Sequence, residues 1–72
     1  MNYETPDLAT AAYLLMKGYK LLQAQKSSGR YQFVFEDSNG TAAASCIEFI
    51  NSECSRFDSC LRNLRSMVRE RN

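Results

Sequence analysis

Histidine and tryptophan are both absent from this 72-residue chain. Histidine is the commonest general base and metal ligand, so its absence excludes a Ser-His or Cys-His nucleophile within one chain. Glycine is also scarce, and Gly18, Gly29 and Gly40 are too far apart to form a phosphate-cradling loop or a dinucleotide fingerprint. We therefore expect a protein that is not an enzyme, with no catalytic residue and no cofactor.

Cysteine occurs only at Cys46, Cys54 and Cys60. An odd number of cysteines, with no basic leader before the first apolar run, argues against a secreted disulfide framework. The spacings also lack the close Cys-x-x-Cys pairs of structural zinc sites, so we predict no bound metal. Free cysteine is commonly buried, which favours Cys46 and Cys60 as small core residues on helix faces.

Long hydrophobic runs are missing as well, since none approaches the ~20 residues needed to cross a bilayer. We expect no membrane partner and a location in a reducing cytoplasm. Hydrophobic residues make up 44% and charged residues 24% of the chain, which is typical of one folded domain spanning residues 1–72. A chain this short buries only a small core, so a second subunit is a natural source of further burial.

Turn and cap residues divide the chain into an α-β-β-α-α order. Thr5 and Pro6 predict the start of a first helix, and Gly18 predicts its end. The predicted elements are a helix at about 6–17, strands at about 19–26 and 30–37, and helices at about 40–51 and 56–70. The expected fold is a small single-domain α+β protein, with an antiparallel β-hairpin covered by helices.

All three predicted helices carry apolar residues at helical spacing, which predicts a buried face on each. The stripes comprise Leu8, Ala11, Ala12 and Leu15 in the first, Ala43, Cys46, Ile47 and Ile50 in the second, and Phe57, Leu61, Leu64 and Val68 in the last. A weak capping pair, Ser55 and Asp58, favours a last helix that starts at about residue 56.

The second strand alternates apolar residues on both faces. Tyr31, Phe33 and Phe35 share one face, which we interpret as core packing because a stacking platform for nucleic acid needs denser positive charge. Val34 points the other way, and Leu22 supplies a further apolar residue to the hairpin. Either helices cover both faces, or a second copy of the chain covers one. We favour a homodimer, in which Leu22 and Val34 are candidates for self-association.

Positive charge is concentrated near the end of the chain. Arg62, Arg65 and Arg69 share one helix face, and Glu70 is the only acidic residue after residue 60. Such a stripe is a candidate contact for an acidic partner or for phosphates. The competing interpretation is a solvated face that pairs with carboxylates elsewhere in the chain, such as Glu48, Glu53 or Asp58.

Three stretches, "DLATAAYLLMKGYKLL", "GRYQFVFED" and "FDSCLRNLRSMV", together resemble a small domain family of bacteria and bacteriophages over about residues 5–69. The shared features are an Asp-Leu start of a helix ending in Lys-Gly, a Phe-Val-Phe-Glu-Asp strand and a last helix with Leu-Arg-x-Leu-Arg. The family is one of unknown function. The resemblance implies a stand-alone protein, located in the host cytoplasm if it is phage-encoded, and implies no catalytic residue.

Three functions remain open on these grounds. The first is a non-enzymatic protein-interaction module, homodimeric, that binds itself or a host protein. The second is a nucleic-acid-binding protein, similar to a transcription regulator, that uses the C-terminal arginines. The third is a nucleotide-binding sponge formed between subunits, with the same arginines on phosphates.

Overall fold

A computed structural model of the chain describes residues 1–70, with the backbone alone for Glu70. The elements are β1 (Asn2–Thr5), α1 (Leu8–Lys17), β2 (Leu21–Ser27), β3 (Arg30–Glu36), α2 (Ala42–Ile50) and α3 (Glu53–Glu70). The strands form one antiparallel sheet in the order β1-β3-β2. The predicted α+β class and the α-β-β-α-α order are confirmed, and β1 is an additional strand before them.

The short strand β1 changes how the chain enters the first helix. Tyr3 pairs with Phe35 and Thr5 with Phe33, so β3 has a partner on both sides. Thr5 is a buried strand residue and not the helix cap. The cap is Asp7, whose Oδ2 accepts from the Thr10 backbone N–H at 2.8 Å, and the helix accordingly starts at Leu8, later than predicted.

The predicted hairpin between the second and third strands is formed by a two-residue loop. Ser28 and Gly29 both have positive φ, at 53° and 79°, and Ser27 pairs with Arg30 across the loop. Two positive φ values in a row define a type I′ turn, whose twist matches that of the strands. An irregularity between Leu21 and Gln23 interrupts the same ladder near its other end.

Side chains that precede α2 and α3 cap both helices. Asp37 Oδ1 accepts from the backbone N–H groups of Thr41 and Ala42, at 2.9 and 3.2 Å. Ser52 Oγ accepts from the Ser55 backbone N–H at 3.4 Å, so Ser52 and not Ser55 marks the start of the last helix. The prediction of a start at about residue 56 therefore missed the first turn of α3.

The core lies between the sheet and the first two helices. Ala11, Leu14 and Phe35 form its centre. Four partly buried side chains pack against this centre: Tyr3, Tyr19, Phe33 and Cys46. The prediction that Tyr31 fills the core is wrong, because Tyr31 lies beside the hairpin loop, where its ring is exposed and stacks on Phe33 at 5.7 Å.

The inward face of α1 is not the stripe that the spacing predicted. Leu14 is fully buried and Ala11 is buried, whereas Leu8 and Leu15 are each 54% exposed. Apolar residues surround nearly the whole helix, so several overlapping stripes satisfy helical spacing equally well. Packing against Phe35 on the sheet buries the stripe that contains Leu14.

Candidate interaction surface on the last helix

The apolar face of α3, here called the α3 seam, consists of Phe57, Leu61, Leu64 and Val68. Its residues are spaced four, three and four apart, as in a coiled-coil heptad. Three of them are open to solvent, with Phe57 67%, Leu64 57% and Val68 64% exposed, and Leu61 is half-buried. The interpretation of this face as a core stripe is therefore wrong for the single chain.

The later part of the seam, Leu64 and Val68, is uncovered because α3 extends past the helix that it contacts. Arg62 Nη2 lies 3.1 Å from Oδ1 of Asp7, the cap of α1, so the start of α1 meets the middle of α3. With 18 residues against 10, α3 is about 12 Å longer than α1 at 1.5 Å per residue. The radius of gyration is 13.8 Å, above the ~11 Å expected of a compact chain of this length.

A groove of about 370 Å³ runs between α1 and α3 beside the seam. Leu8, Ala12 and Met16 line it on the α1 side, and Phe57 and Leu61 line it on the α3 side. The groove is thus mostly apolar, with Asp58, Arg62 and Arg65 also in its lining, and it is continuous with the α3 seam. Sequence patterns missed Met16 as a surface residue because its helix is apolar on nearly every side.

The floor of the groove is held by contacts between α1 and α2. The rings of Tyr13 and Phe49 pack with centroids 5.2 Å apart. Tyr13 Oη donates to Glu48 Oε1 at 2.6 Å, and Lys17 Nζ lies 3.1 Å from the same oxygen. This hydrogen bond, together with burial, raises the pKa of Tyr13 to about 12. The hydrogen bonds from Tyr13 and Lys17, with the charge of Lys17, lower the pKa of Glu48.

The three predicted arginines have different surroundings. Arg62 is flanked by two carboxylates, with Nη2 3.1 Å from Asp7 and Nε 3.0 Å from Asp58 Oδ2. Arg65 lines the groove, and Arg69 lies in the last turn of α3. The pairing of Arg62 with Asp58 has the i,i+4 spacing that sequence can reveal, whereas its contact with Asp7 arises only from the packing of α3 on α1. These two acids reduce the positive potential expected of the stripe.

The candidate self-association residues of the sheet lie away from α3. Val34 is 8% exposed and pairs in register with Glu4, while Leu22 is exposed at the irregularity in β2. On the face of Val34, Gln32 donates to Glu4 at 3.0 Å and accepts from Gln25 at 3.1 Å. Polar side chains thus occupy much of this face, and Val34 itself offers little surface to a partner.

The cysteines divide between the core and the surface. Cys46 is half-buried, and its Sγ donates to Tyr3 Oη at 3.3 Å. Cys60 is exposed, so its prediction as a core residue is wrong. Within residues 1–70 no three of the potential metal ligands cluster together. No helix in this described part is long and apolar enough to cross a membrane.

Comparison with known proteins addresses the family and not the activity. No curated protein and no solved structure matches the chain. One family model, described as a domain of unknown function, matches residues 1–70 and so covers every element of the fold. This match confirms the resemblance to a small family of unknown function. The chain therefore belongs to the family Domain of unknown function (DUF5659).

Proposed function

We propose that this protein is a non-enzymatic interaction module whose partner is a second copy of the same chain, bound through the α3 seam. The observation that carries the proposal is the exposure of Phe57, Leu64 and Val68 at heptad spacing on one helix face. A continuous apolar stripe of this kind is typical of a helix that packs against another helix.

The exposed area of the chain supports a missing subunit. A folded monomer of 8.2 kDa is expected to expose about 4,500 Å². This chain exposes 5570 Å², an excess of about 1,000 Å² over that expectation. A stable interface of standard size buries about 800 Å² on each partner. The excess is thus of the size that one dimer contact covers.

The charges on α3 favour this function over nucleic-acid binding. Arg62 already faces two carboxylates of its own chain, which leaves Arg65 and Arg69 as the remaining cations of the predicted stripe. Phosphate binding draws its affinity from the number of unpaired cations that it neutralises. The same argument weakens the nucleotide-sponge hypothesis, which relies on the same side chains.

Sedimentation equilibrium over the micromolar range tests the proposal. We expect the wild-type chain to form a dimer, and Leu64→Glu to shift it toward monomer because the substitution places a charge in the seam. Leu22→Glu is the matched control, since it adds the same charge at another exposed leucine, on the sheet. Circular dichroism of both variants verifies that the monomer remains folded.

The two variants distinguish an interface on the α3 seam from one on the sheet. Loss of the dimer in Leu64→Glu but not in Leu22→Glu supports the seam as the interface. The reverse pattern overturns the seam and favours the sheet surface at Leu22 and Val34. A wild-type chain that stays monomeric throughout the range overturns self-association altogether.

A further inference from the structure

Resting on the proposed self-association, we infer that the two α3 helices pack antiparallel, with Asp58 of each copy against Arg65 of the other. The inference concerns the orientation and register of the dimer, which the apolar seam alone leaves open. It depends on the charged and uncharged residues that border the seam on its two sides.

The two borders of the seam differ in character. Asp58 and Arg65 follow Phe57 and Leu64 directly, so they lie on one border, seven residues apart. Cys60 and Met67 lie on the other border at the same spacing, and neither is one of the charged residues of the chain. Along the seam one border therefore carries an acid and a base, and the opposite border carries Cys60 and Met67, with Glu53 one heptad before them.

Helix orientation decides which borders meet. In an antiparallel pair the two-fold axis is perpendicular to the helices, and each border faces the same border of the second copy. In a parallel pair each border faces the opposite border of the second copy. The antiparallel pair with its axis between Leu61 and Leu64 sets Leu61 on Leu64 and Phe57 on Val68 of the second copy. In that register Asp58 meets Arg65, and Cys60 meets Met67.

A parallel pair has an unfavourable contact in place of this match. In parallel coiled coils a residue on one border faces the residue five positions later on the other border. Glu53 would then face Asp58 of the second copy. Because the dimer is symmetric, this contact between like charges occurs twice. A parallel pair also sets the two arginine-rich ends side by side, which adds further repulsion.

The side chains concerned are free to make the contact. Among the side chains that the structure describes, Arg65 has no ion-pair partner. Asp58 uses Oδ2 for Arg62 and retains Oδ1 for a second cation. Both residues line the groove beside the seam, so a helix placed on the seam reaches them. Their opposite charges on one border are what makes this surface complementary to itself.

Mixing of two single variants tests the register directly. In Asp58→Lys the new lysine meets Arg65 of the second copy, and in Arg65→Glu the new glutamate meets Asp58. Each variant alone has two like-charge contacts, so we expect its dimer to be weakened about tenfold. In a mixture of the two, both contacts of the heterodimer join opposite charges, and we expect the affinity to return to within about threefold of wild type.

Arg69→Glu is the matched control, because it makes the same charge change on the same helix outside the seam borders. We expect it to weaken the dimer less than twofold. In its mixture with Asp58→Lys we expect only about half of the loss to be recovered, because one of the two contacts in that heterodimer still joins like charges. Sedimentation velocity with one variant labelled measures the heterodimer in each mixture. Circular dichroism of each variant alone verifies that α3 is still helical.

The outcomes separate this inference from the proposed function. A wild-type dimer with restored affinity in the Asp58→Lys and Arg65→Glu mixture supports the antiparallel register. A wild-type dimer without such restoration overturns the register and leaves self-association standing. A wild-type monomer overturns both. Equal restoration by the Arg69→Glu mixture also contradicts the register, because it reflects net charge alone.

Discussion

Arg62 of α3 places its Nη2 3.1 Å from Oδ1 of Asp7, the residue whose other oxygen caps α1. The carboxylate of Asp7 thus has two structural roles. It accepts a hydrogen bond from the first turn of α1, and it forms an ion pair that holds α3 against α1. Partial burial favours a higher pKa for Asp7, but the hydrogen bonds from Thr10 and the charge of Arg62 outweigh it and lower the pKa.

Substitutions at Asp7 separate these two contributions. Asp7→Ala removes both, and we expect the free energy of unfolding to fall by about 1–2 kcal/mol, mostly from the lost cap. Asp7→Asn keeps a capping oxygen and loses only the charge, so we expect a loss below about 1 kcal/mol, as for exposed ion pairs. Urea denaturation at one fixed protein concentration measures both. Equal losses in the two variants would contradict the dominance of the cap.

Acid should weaken the contact between α1 and α2 through Glu48. Because the folded-state pKa of Glu48 is lowered from its ordinary value of 4.5, its contribution to stability is present above that value. The contribution is lost as pH falls through the lowered pKa. We expect Glu48→Gln to reduce the acid dependence of the urea midpoint.

Tyr13→Phe serves as a second variant for the same contact, because the hydrogen bond from Tyr13 is the largest cause of the lowered pKa of Glu48. We expect it to reduce the acid dependence in the same direction. Asp7 retains its own lowered pKa in both variants, so part of the acid dependence should remain. An acid dependence unchanged by either substitution would show that the contact does not contribute to stability.

The hairpin loop offers a local test of backbone conformation. Gly29 has φ of 79°, a region in which a Cβ is unfavourable, so Gly29→Ala should cost about 1 kcal/mol of stability. Ser28→Asn creates the Asn-Gly pair preferred in type I′ turns, and we expect a neutral or slightly stabilising effect. Thermal unfolding followed by circular dichroism compares the two. A destabilising Ser28→Asn would argue against the type I′ geometry.

Two adjacent leucines distinguish the core from the surface of α1. Leu14 is fully buried, so Leu14→Ala should cost about 2–5 kcal/mol and leave much of this small protein unfolded. Leu15 is half-exposed, and Leu15→Ala should cost less than about 1 kcal/mol. Urea denaturation measures both against wild type. Comparable losses would indicate that Leu15 is covered in solution, as by a partner subunit.

Features that depend on the local backbone could be predicted from the sequence. Gly18 ends α1 with φ of 102°, and the Tyr19 N–H bonds to the Leu14 carbonyl at 3.1 Å, as a C-terminal glycine indicates. The Ser-Gly loop similarly predicts the hairpin. Both signals arise from steric limits within a few residues, so they need no knowledge of distant contacts.

Features that depend on distant contacts were missed or misplaced. The strand β1 has four residues, too few for an alternating pattern, and it forms because the edge of β3 is available to pair with Tyr3. The interaction between Asp7 and Arg62 joins residues 55 positions apart and follows no local rule. Such pairs are visible only once the helices are placed.

The sequence by itself determined the order of the elements that follow β1, the turns that end α1 and join β2 to β3, and the heptad spacing of Phe57, Leu61, Leu64 and Val68. Only the tertiary structure decided that this spacing forms a surface and not a core. For Leu64 and Val68 the physical reason is geometric, because α1 is shorter than α3 and its start meets α3 at Arg62, so the following turns of α3 extend beyond it. Phe57 lies beside α1 at the groove and is still 67% exposed. Apolar residues at helical spacing predict a face that packs against another element. The placement of the neighbouring elements decides whether the same chain supplies that element.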